Sequence, residues 1–262
     1  MSTRYRVLDR TVGDLVVAQA VAQLGTITPV AEPTIAVVIP AYNEADGIVE
    51  VLHELPDVLA GMRVAPVVVV DGGTDDTGAV ARAAGFITVV HPVNRGQGDA
   101  LRTGFRVALA LGSEIVMTMD ADGQHRPDQM IDLVRPIVDD RADYVQGSRF
   151  RGEYDDHGGA RDLGIRGFTA LINRVGHTGV TDCTNGFRAI RAKSLATMQL
   201  TEPRFSAPEI IIEASRNGLR MLEVPVHIRS RSHGESKKPR RLAYPLGFLG
   251  VIVRTGRRPR EV

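Results

Sequence analysis

Asp120 and Asp122 are two carboxylates at i and i+2. They follow residues 115–119 (IVMTM), a short apolar run of the kind that forms a buried strand. Carboxylates leaving a strand end together can direct their oxygens at one spot, and oxygen donors suit hard divalent cations such as Mg2+ or Mn2+. Gln124 adds a neutral oxygen and His125 a ring nitrogen. The chemistry this spacing offers is neutralisation of a substrate diphosphate. The bland alternative is a solvated acidic turn, so the surroundings must decide.

Those surroundings follow from hydrophobic periodicity. Residues 35–39, 67–70, 86–90, 115–119 and 144–145 read as strands, and residues 45–59, 77–84, 98–111 and 127–138 as helices between them. Strand alternating with helix predicts an α/β fold, a Rossmann-like and mostly parallel sheet with helices on both faces. In such sheets ligands gather beyond the carboxyl ends of the strands. Five polar loops then meet at one edge: residues 40–44, 71–76, 91–98, 120–125 and 147–150. Further on, residues 163–175 and 207–217 read as helices and 221–228 as a final strand. Residues 1–33 read as an appendage, a helix over 12–24 and then a linker.

Composition excludes several classes. Of 262 residues, 43% are apolar and 24% charged, as in a globular protein. Lys and Arg number 32 against 31 Asp and Glu, a net charge of +1 that argues against a nucleic-acid partner. The single cysteine, Cys183, forbids a disulfide within the chain and a Cys-rich zinc site, and fits a reducing, cytoplasmic setting. No apolar run reaches the roughly 20 residues a membrane span needs. Arg4, Arg6, Asp9 and Arg10 interrupt any secretory leader. After the first strand there is neither the G-x-G-x-x-G of a dehydrogenase nor the Gly-rich basic loop of a nucleotidyltransferase. Near the end, the apolar residues 242–253 lie between basic clusters. They would either rest in a membrane interface or dock on the domain or an oligomer partner. Pro245, Gly247 and Gly250 weigh against a helix there.

Taken together, residues 39–44 (IPAYNE), 70–77 (VDGGTDDT), 94–98 (NRGQG) and 120–125 (DADGQH) resemble the family-2 glycosyltransferases of the GT-A fold. Downstream, residues 147–150 (GSRF), 182–188 (DCTNGFR), Glu209, 223–225 (EVP) and 231–237 (RSHGESK) look like the branch that moves sugars onto polyprenyl phosphates, as in dolichyl-phosphate mannose or glucose synthases. The resemblance implies a GT-A domain over 34–240, with a nucleotide-sugar half (34–150) and an acceptor half (151–240), followed by a basic and apolar tail (241–262).

The same resemblance implies a metal-dependent, inverting transfer of a hexose from a UDP- or GDP-sugar to a polyprenyl phosphate. Pro40, Tyr42, Glu44 and Asp71 would line the nucleoside site, with Gly98 and Ala121 beside the nucleotide sugar. Asp120, Asp122 and Gln124 would hold Mg2+ or Mn2+ and the diphosphate. Arg149 and Arg231 would face phosphates of donor or acceptor, and Asp182 and Glu209 would lie near the acceptor. In this sequence Gln97 stands where Lys is frequent. An acceptor phosphate, its second pKa about 6, needs no general base. A soluble hydroxyl acceptor, the alternative, needs a carboxylate within reach, and Asp182 and Glu209 are the candidates. A third reading is a nucleotide-binding protein without activity. Peripheral contact with the inner membrane face and a homo-oligomer both stay open.

Overall fold

Two sequence runs, TIAVVIPA and the four valines at 67–70, are buried on both faces, as parallel strands covered by helices must be. They are the centre of the computed structural model, which describes residues 34–152, 159–230 and 243–259. The helix expected over 12–24 and the site candidate Arg231 lie outside the described residues.

The chain starts with β1 (Thr34–Ala41), α1 (Ile48–His53), β2 (Val58–Leu59), β3 (Met62–Asp71), α2 (Thr77–Ala83) and β4 (Ile87–His91). It continues with α3 (Gln97–Ala110), β5 (Ile115–Thr118), α4 (Met130–Val138), β6 (Tyr144–Ser148) and α5 (Gly159–Gly176). Then come β7 (Arg188–Arg191), α6 (Ala192–Leu195), α7 (Ser206–Arg216), β8 (Met221–Pro225) and α8 (Ala243–Gly256). All eight strands join one sheet in the order β2-β3-β1-β5-β7-β6-β8, with β4 also on β3. β4, β3, β1 and β5 pair in parallel, so their carboxyl ends share one edge. β7 is inserted antiparallel between β5 and β6.

One face packs α1 and α4 through Ile48, Leu52, Leu133 and Ile137 against Ile35, Val37 and Ile39. The other packs α3, α5, α7 and α8 through Phe105, Ile172, Ile211 and Phe248 against Val38 and Val116. A Cβ on Gly104 would run into Val38, so α3 sits directly on β1 only because that residue is glycine.

Three elements differ from the periodicity. The helix expected over 45–59 stops at His53. Pro56 disfavours helical geometry at Leu55, and the left-handed pair Ala60 (φ 52°) and Gly61 (φ 81°) turns the chain into the β2–β3 hairpin. The last strand ends at Pro225 rather than 228, leaving only a bridge between Ile228 and His125. α8 forms in spite of Pro245, Gly247 and Gly250. Pro245 lies in the first turn, where its missing N–H is harmless, and Gly247 admits the Phe205 ring. Of the two arrangements expected for the tail, α8 docks on the domain. Phe248, Val251 and Ile252 are buried, with Phe248 4.9 Å from the Phe168 ring, while Leu246, Leu249 and Val253 face outward. No helix of the described residues is long and apolar enough to cross a membrane.

Candidate functional site

The carboxyl ends of β1, β3 and β5 open on a cavity of about 380 Å3. Pro40, Tyr42, Glu44, Asp71, Asp120, Ala121, Asp122 and Gln124 line it. The first two loops are tied to each other. The Glu44 amide donates to Thr77 Oγ1 at 2.9 Å, and the Thr74 amide donates to Asn43 Oδ1 at 2.9 Å.

Asp71, last residue of β3, is a buried clamp. Its Oδ1 accepts His91 Nδ1–H at 2.8 Å and the Arg95 amide at 3.0 Å, and its Oδ2 accepts the Gly96 amide at 2.7 Å. On its other side the His91 ring places Nε2 2.9 Å from Thr103 Oγ1. Burial alone would raise the Asp71 pKa, but the His91 bond and the two amides outweigh it and hold the group below the usual carboxylate range. The third loop is thereby fixed against the second, and Oδ2 keeps a lone pair.

The Asp120–Asp122 turn is equally defined. The Asp120 amide donates to His125 Nδ1 at 3.1 Å, and His125 Nε2–H donates to Asn185 Oδ1 at 3.2 Å. With its ring stacked 4.9 Å from Phe187 and both nitrogens engaged, His125 caps the loop. Asp120 Oδ1 accepts Gln97 Nε2 at 3.2 Å, so Gln97 contacts this carboxylate directly. The backbone of Gly186 stands behind it, where a Cβ would lie 3.0 Å from Oδ1. Asp122 Oδ1 accepts the Gln124 amide at 3.2 Å. Gln124 Nε2 donates to the Arg229 carbonyl at 3.1 Å, which leaves Oε1 as its free donor atom.

These are hard oxygen donors on one turn. Among the described residues no three His, Cys, Asp or Glu side chains form a cage. Two carboxylates and an amide oxygen fit the mode in which Mg2+ or Mn2+ is completed by substrate phosphates and water.

Residues 36–198, well over half of the chain, match the family described as glycosyl transferase family 2. The chain belongs to that family. It is 31% identical over 219 residues to the UDP-N-acetylglucosamine–dolichyl-phosphate N-acetylglucosaminyltransferase of Methanococcus voltae, covering 75% of this chain and 86% of the relative. It is 33% identical over 212 residues to the undecaprenyl-phosphate mannosyltransferase of Micrococcus luteus, covering 76% and 85%. Glucosyl-3-phosphoglycerate synthase of Mycobacterium tuberculosis, solved with Mn2+, UDP and glucosyl-3-phosphoglycerate, superposes with a TM-score of 0.66 at 21% identity, covering 93% of this chain and 85% of that one. The fold is GT-A, and the protein is a nucleotide-sugar glycosyltransferase.

Four residues expected at the site of this glycosyltransferase do not line the cavity. Asp182 is fully buried, its Oδ2 and Oδ1 held by Arg149 Nε at 2.8 Å and Nη2 at 2.9 Å. Arg149, itself buried, also donates to Thr184 Oγ1. Burial pulls the Asp182 pKa up, but the Arg149 fork prevails and lowers it, so the pair is ionised and closed on itself. Glu209 is buried too. Its Oε1 accepts the Thr201 amide at 2.7 Å and Arg258 Nη2 at 2.6 Å, and its Oε2 accepts the Glu202 amide at 3.1 Å. Gly98 is glycine because the chain passes against it: its amide donates to the Pro203 carbonyl at 2.9 Å, and a Cβ would overlap Glu202.

Other lining residues escaped the sequence. Arg188, Arg204, Phe205 and Phe248 reach the cavity from β7, from the turn before α7 and from α8. Phe205 carries the one usable signal, an apolar residue just before a helix start, and holds a left-handed φ of 56°.

Proposed function

We propose that this family-2 glycosyltransferase moves a hexose from a UDP- or GDP-sugar to a polyprenyl phosphate, with inversion at the anomeric carbon. Asp120, Asp122 and Gln124 would hold Mg2+ or Mn2+. The ion, when bound, supplies Lewis-acid neutralisation of the leaving diphosphate, an effect of several kcal/mol. Pro40, Tyr42, Glu44 and the free lone pair of Asp71 would receive the nucleoside. Fixing donor and acceptor in one cavity supplies more of the rate through orientation. An acceptor phosphate oxygen attacks the anomeric carbon, the bond to the diphosphate oxygen breaks, and its electron pair leaves with the diphosphate. No proton has to move.

The observation that carries the acceptor class is the fate of the two expected bases. Asp182 and Glu209 are buried in ion pairs outside the cavity, so a hydroxyl acceptor lacks the carboxylate it was expected to use. An acceptor that arrives ionised has no such need. The names of the two relatives point the same way, and the Mn2+ and UDP of the tuberculosis enzyme agree with the donor chemistry. The outward residues Leu246, Leu249 and Val253 of α8 give such an enzyme an apolar face to rest on the cytoplasmic side of a membrane.

The test is transfer of labelled hexose from UDP- and GDP-sugars, with Mn2+, to a polyprenyl monophosphate in detergent and to a panel of soluble hydroxyl acceptors. The expected result is a lipid-linked sugar phosphate formed only with the monophosphate. Turnover of a hydroxyl acceptor with the lipid phosphate inert would overturn the acceptor class and favour the soluble alternative.

A further inference from the structure

We propose that the start of α7 is the acceptor-phosphate site, where the Ser206 hydroxyl, the uncapped amides of Ser206 and Ala207 and the Arg204 guanidinium receive the oxygens of the polyprenyl monophosphate. The inference rests on the acceptor class proposed above and gives that acceptor a place in the cavity.

Residues 206–209 read SAPE, the Ser-x-x-Glu spacing of a capping box. The structure does not use it that way. Phe205 takes the cap position in a left-handed conformation, and no side chain caps the helix. Glu209 turns instead to the Thr201 and Glu202 amides. Pro208 has no N–H, so Ser206 and Ala207 are left with amides that lack an intrahelical acceptor. α7 runs for 11 residues, and the positive end of its dipole stands here.

Ser206 is only 6% exposed and lines the cavity, yet its hydroxyl makes no hydrogen bond to any described residue. A buried hydroxyl with no partner in the protein is left for whatever enters the cavity. Arg204, two residues earlier, lines the same cavity and is exposed, and no carboxylate pairs with it among the described residues. The acids on either side of it in the chain are already matched, Glu202 by Arg254 at 2.7 Å and Glu209 by Arg258 at 2.6 Å. The segment is also held in place, because the Pro203 carbonyl accepts the Gly98 amide at 2.9 Å and the Asp99 amide at 3.3 Å.

The neighbours of this helix end choose between the two substrate phosphates. The Phe205 and Phe248 rings meet edge to face 6.3 Å apart, and Ala100 and Leu101 line the same cavity. Phe248 belongs to α8, whose Leu246, Leu249 and Val253 are exposed. A nucleotide joins its phosphates to a polar sugar, whereas a polyprenyl phosphate joins its phosphate directly to an apolar chain. Hydrogen-bond donors and one cation beside an aromatic wall fit the second. Such donors hold the phosphate in its ionised form, the form that attacks without a base.

The experiment uses Arg204→Gln, Arg204→Lys and Ser206→Ala in the full chain. Affinity is measured for a short polyprenyl monophosphate, for the matching polyprenol without phosphate, and for UDP and GDP with Mn2+. Arg204→Gln and Ser206→Ala should each bind the monophosphate about tenfold more weakly, the loss of one hydrogen bond to a charged group. Arg204→Lys should fall between wild type and Arg204→Gln, since it keeps the charge but not the planar fork. The polyprenol and the nucleotides should bind every variant as they bind wild type. Arg204→Gln, an exposed change, keeps the test readable if Ser206→Ala unsettles the helix start.

Unchanged monophosphate affinity in either Arg204→Gln or Ser206→Ala overturns the proposal. An equal loss for the polyprenol also overturns it, because the effect then lies in the apolar wall. A loss for UDP or GDP as large as that for the monophosphate overturns it too, and gives the site to the donor. In all of these cases the wild type still binds the monophosphate, and only this inference falls. If the wild type binds nucleotide with Mn2+ but not the monophosphate, the acceptor class proposed above falls, and this site with it.

Discussion

Arg258 Nη2 lies 2.6 Å from Glu209 Oε1, joining the segment after α8 to the buried first turn of α7. Next to it Arg254 grips Glu202 through Nε at 2.9 Å and Nη2 at 2.7 Å. Residues 202 and 203 in turn press on Gly96 and Gly98 beside the cavity. The C-terminal helix thus supports the cavity wall as well as contributing Phe248 to it.

That relationship separates a structural Glu209 from a catalytic one. Glu209→Gln breaks a buried pair and should cost about 3 kcal/mol. For a domain of this size that lowers the melting temperature by roughly 6–12 °C. Turnover per folded molecule should stay within about threefold, whereas loss of a general base typically costs about 10²-fold or more. Thermal melts paired with rates corrected for folded fraction decide it. A rate collapse at unchanged stability would return Glu209 to the chemistry.

Gly186 offers a probe that touches Asp120 without changing it. A methyl group at 186 would stand 3.0 Å from Asp120 Oδ1 and press on that carboxylate. Gly186→Ala should weaken Mn2+-dependent UDP or GDP binding by roughly 10- to 100-fold, the range for disturbing the support of a metal ligand. Calorimetric titration at fixed Mn2+ measures this, and wild-type affinity would show that Asp120 does not need its present position.

Acid should destabilise the fold through Asp71 and Asp182. Burial works to raise both pKa values, but His91 with two amides in one case and Arg149 in the other bring them below the unfolded value. A depressed carboxylate binds fewer protons folded than unfolded, so its contribution is present above the unfolded pKa of about 3.9 and is lost as pH falls through the folded one. The melting temperature should be level from about pH 5 to 7 and drop below about pH 4, with a shallower acid fall in Asp182→Asn. A flat profile down to pH 3 would contradict the geometry of both clamps.

Cys183 should be inert in the native state. It is fully buried, and burial pushes its thiol up to about 11, so there is almost no thiolate at neutral pH. A chromogenic disulfide reagent at pH 8 should report no free thiol until denaturant is added. Prompt labelling of the folded protein would mean that α5, which covers the thiol, opens readily.

The parallel half of the sheet was legible because its strands are continuous apolar runs. The loops at their carboxyl ends were legible because polar clusters interrupt those runs at each crossing. β7 was not. Four residues with an arginine at each end give no period, and only the ladder to β5 and β6 makes them a strand. The cavity residues Pro40, Tyr42, Glu44, Asp71, Asp120, Asp122 and Gln124 were found because they sit where strands end. Asp182 and Glu209, expected near the acceptor, are buried in ion pairs that the sequence did not reveal, for one reason. A carboxylate's partner is set by tertiary packing, and Arg149 and Arg258 lie 33 and 49 positions away in sequence.

In the proposed function Asp120 and Asp122 share a divalent ion with a nucleotide diphosphate. Electron paramagnetic resonance of Mn2+ titrated into the protein, with and without UDP or GDP, tests it most directly. Wild type should bind Mn2+ tightly only with the nucleotide present, and Asp122→Asn should lose that signal while turnover falls by about 10²–10³. Nucleotide-dependent Mn2+ binding that survives intact in Asp122→Asn would remove Asp122 from the metal site.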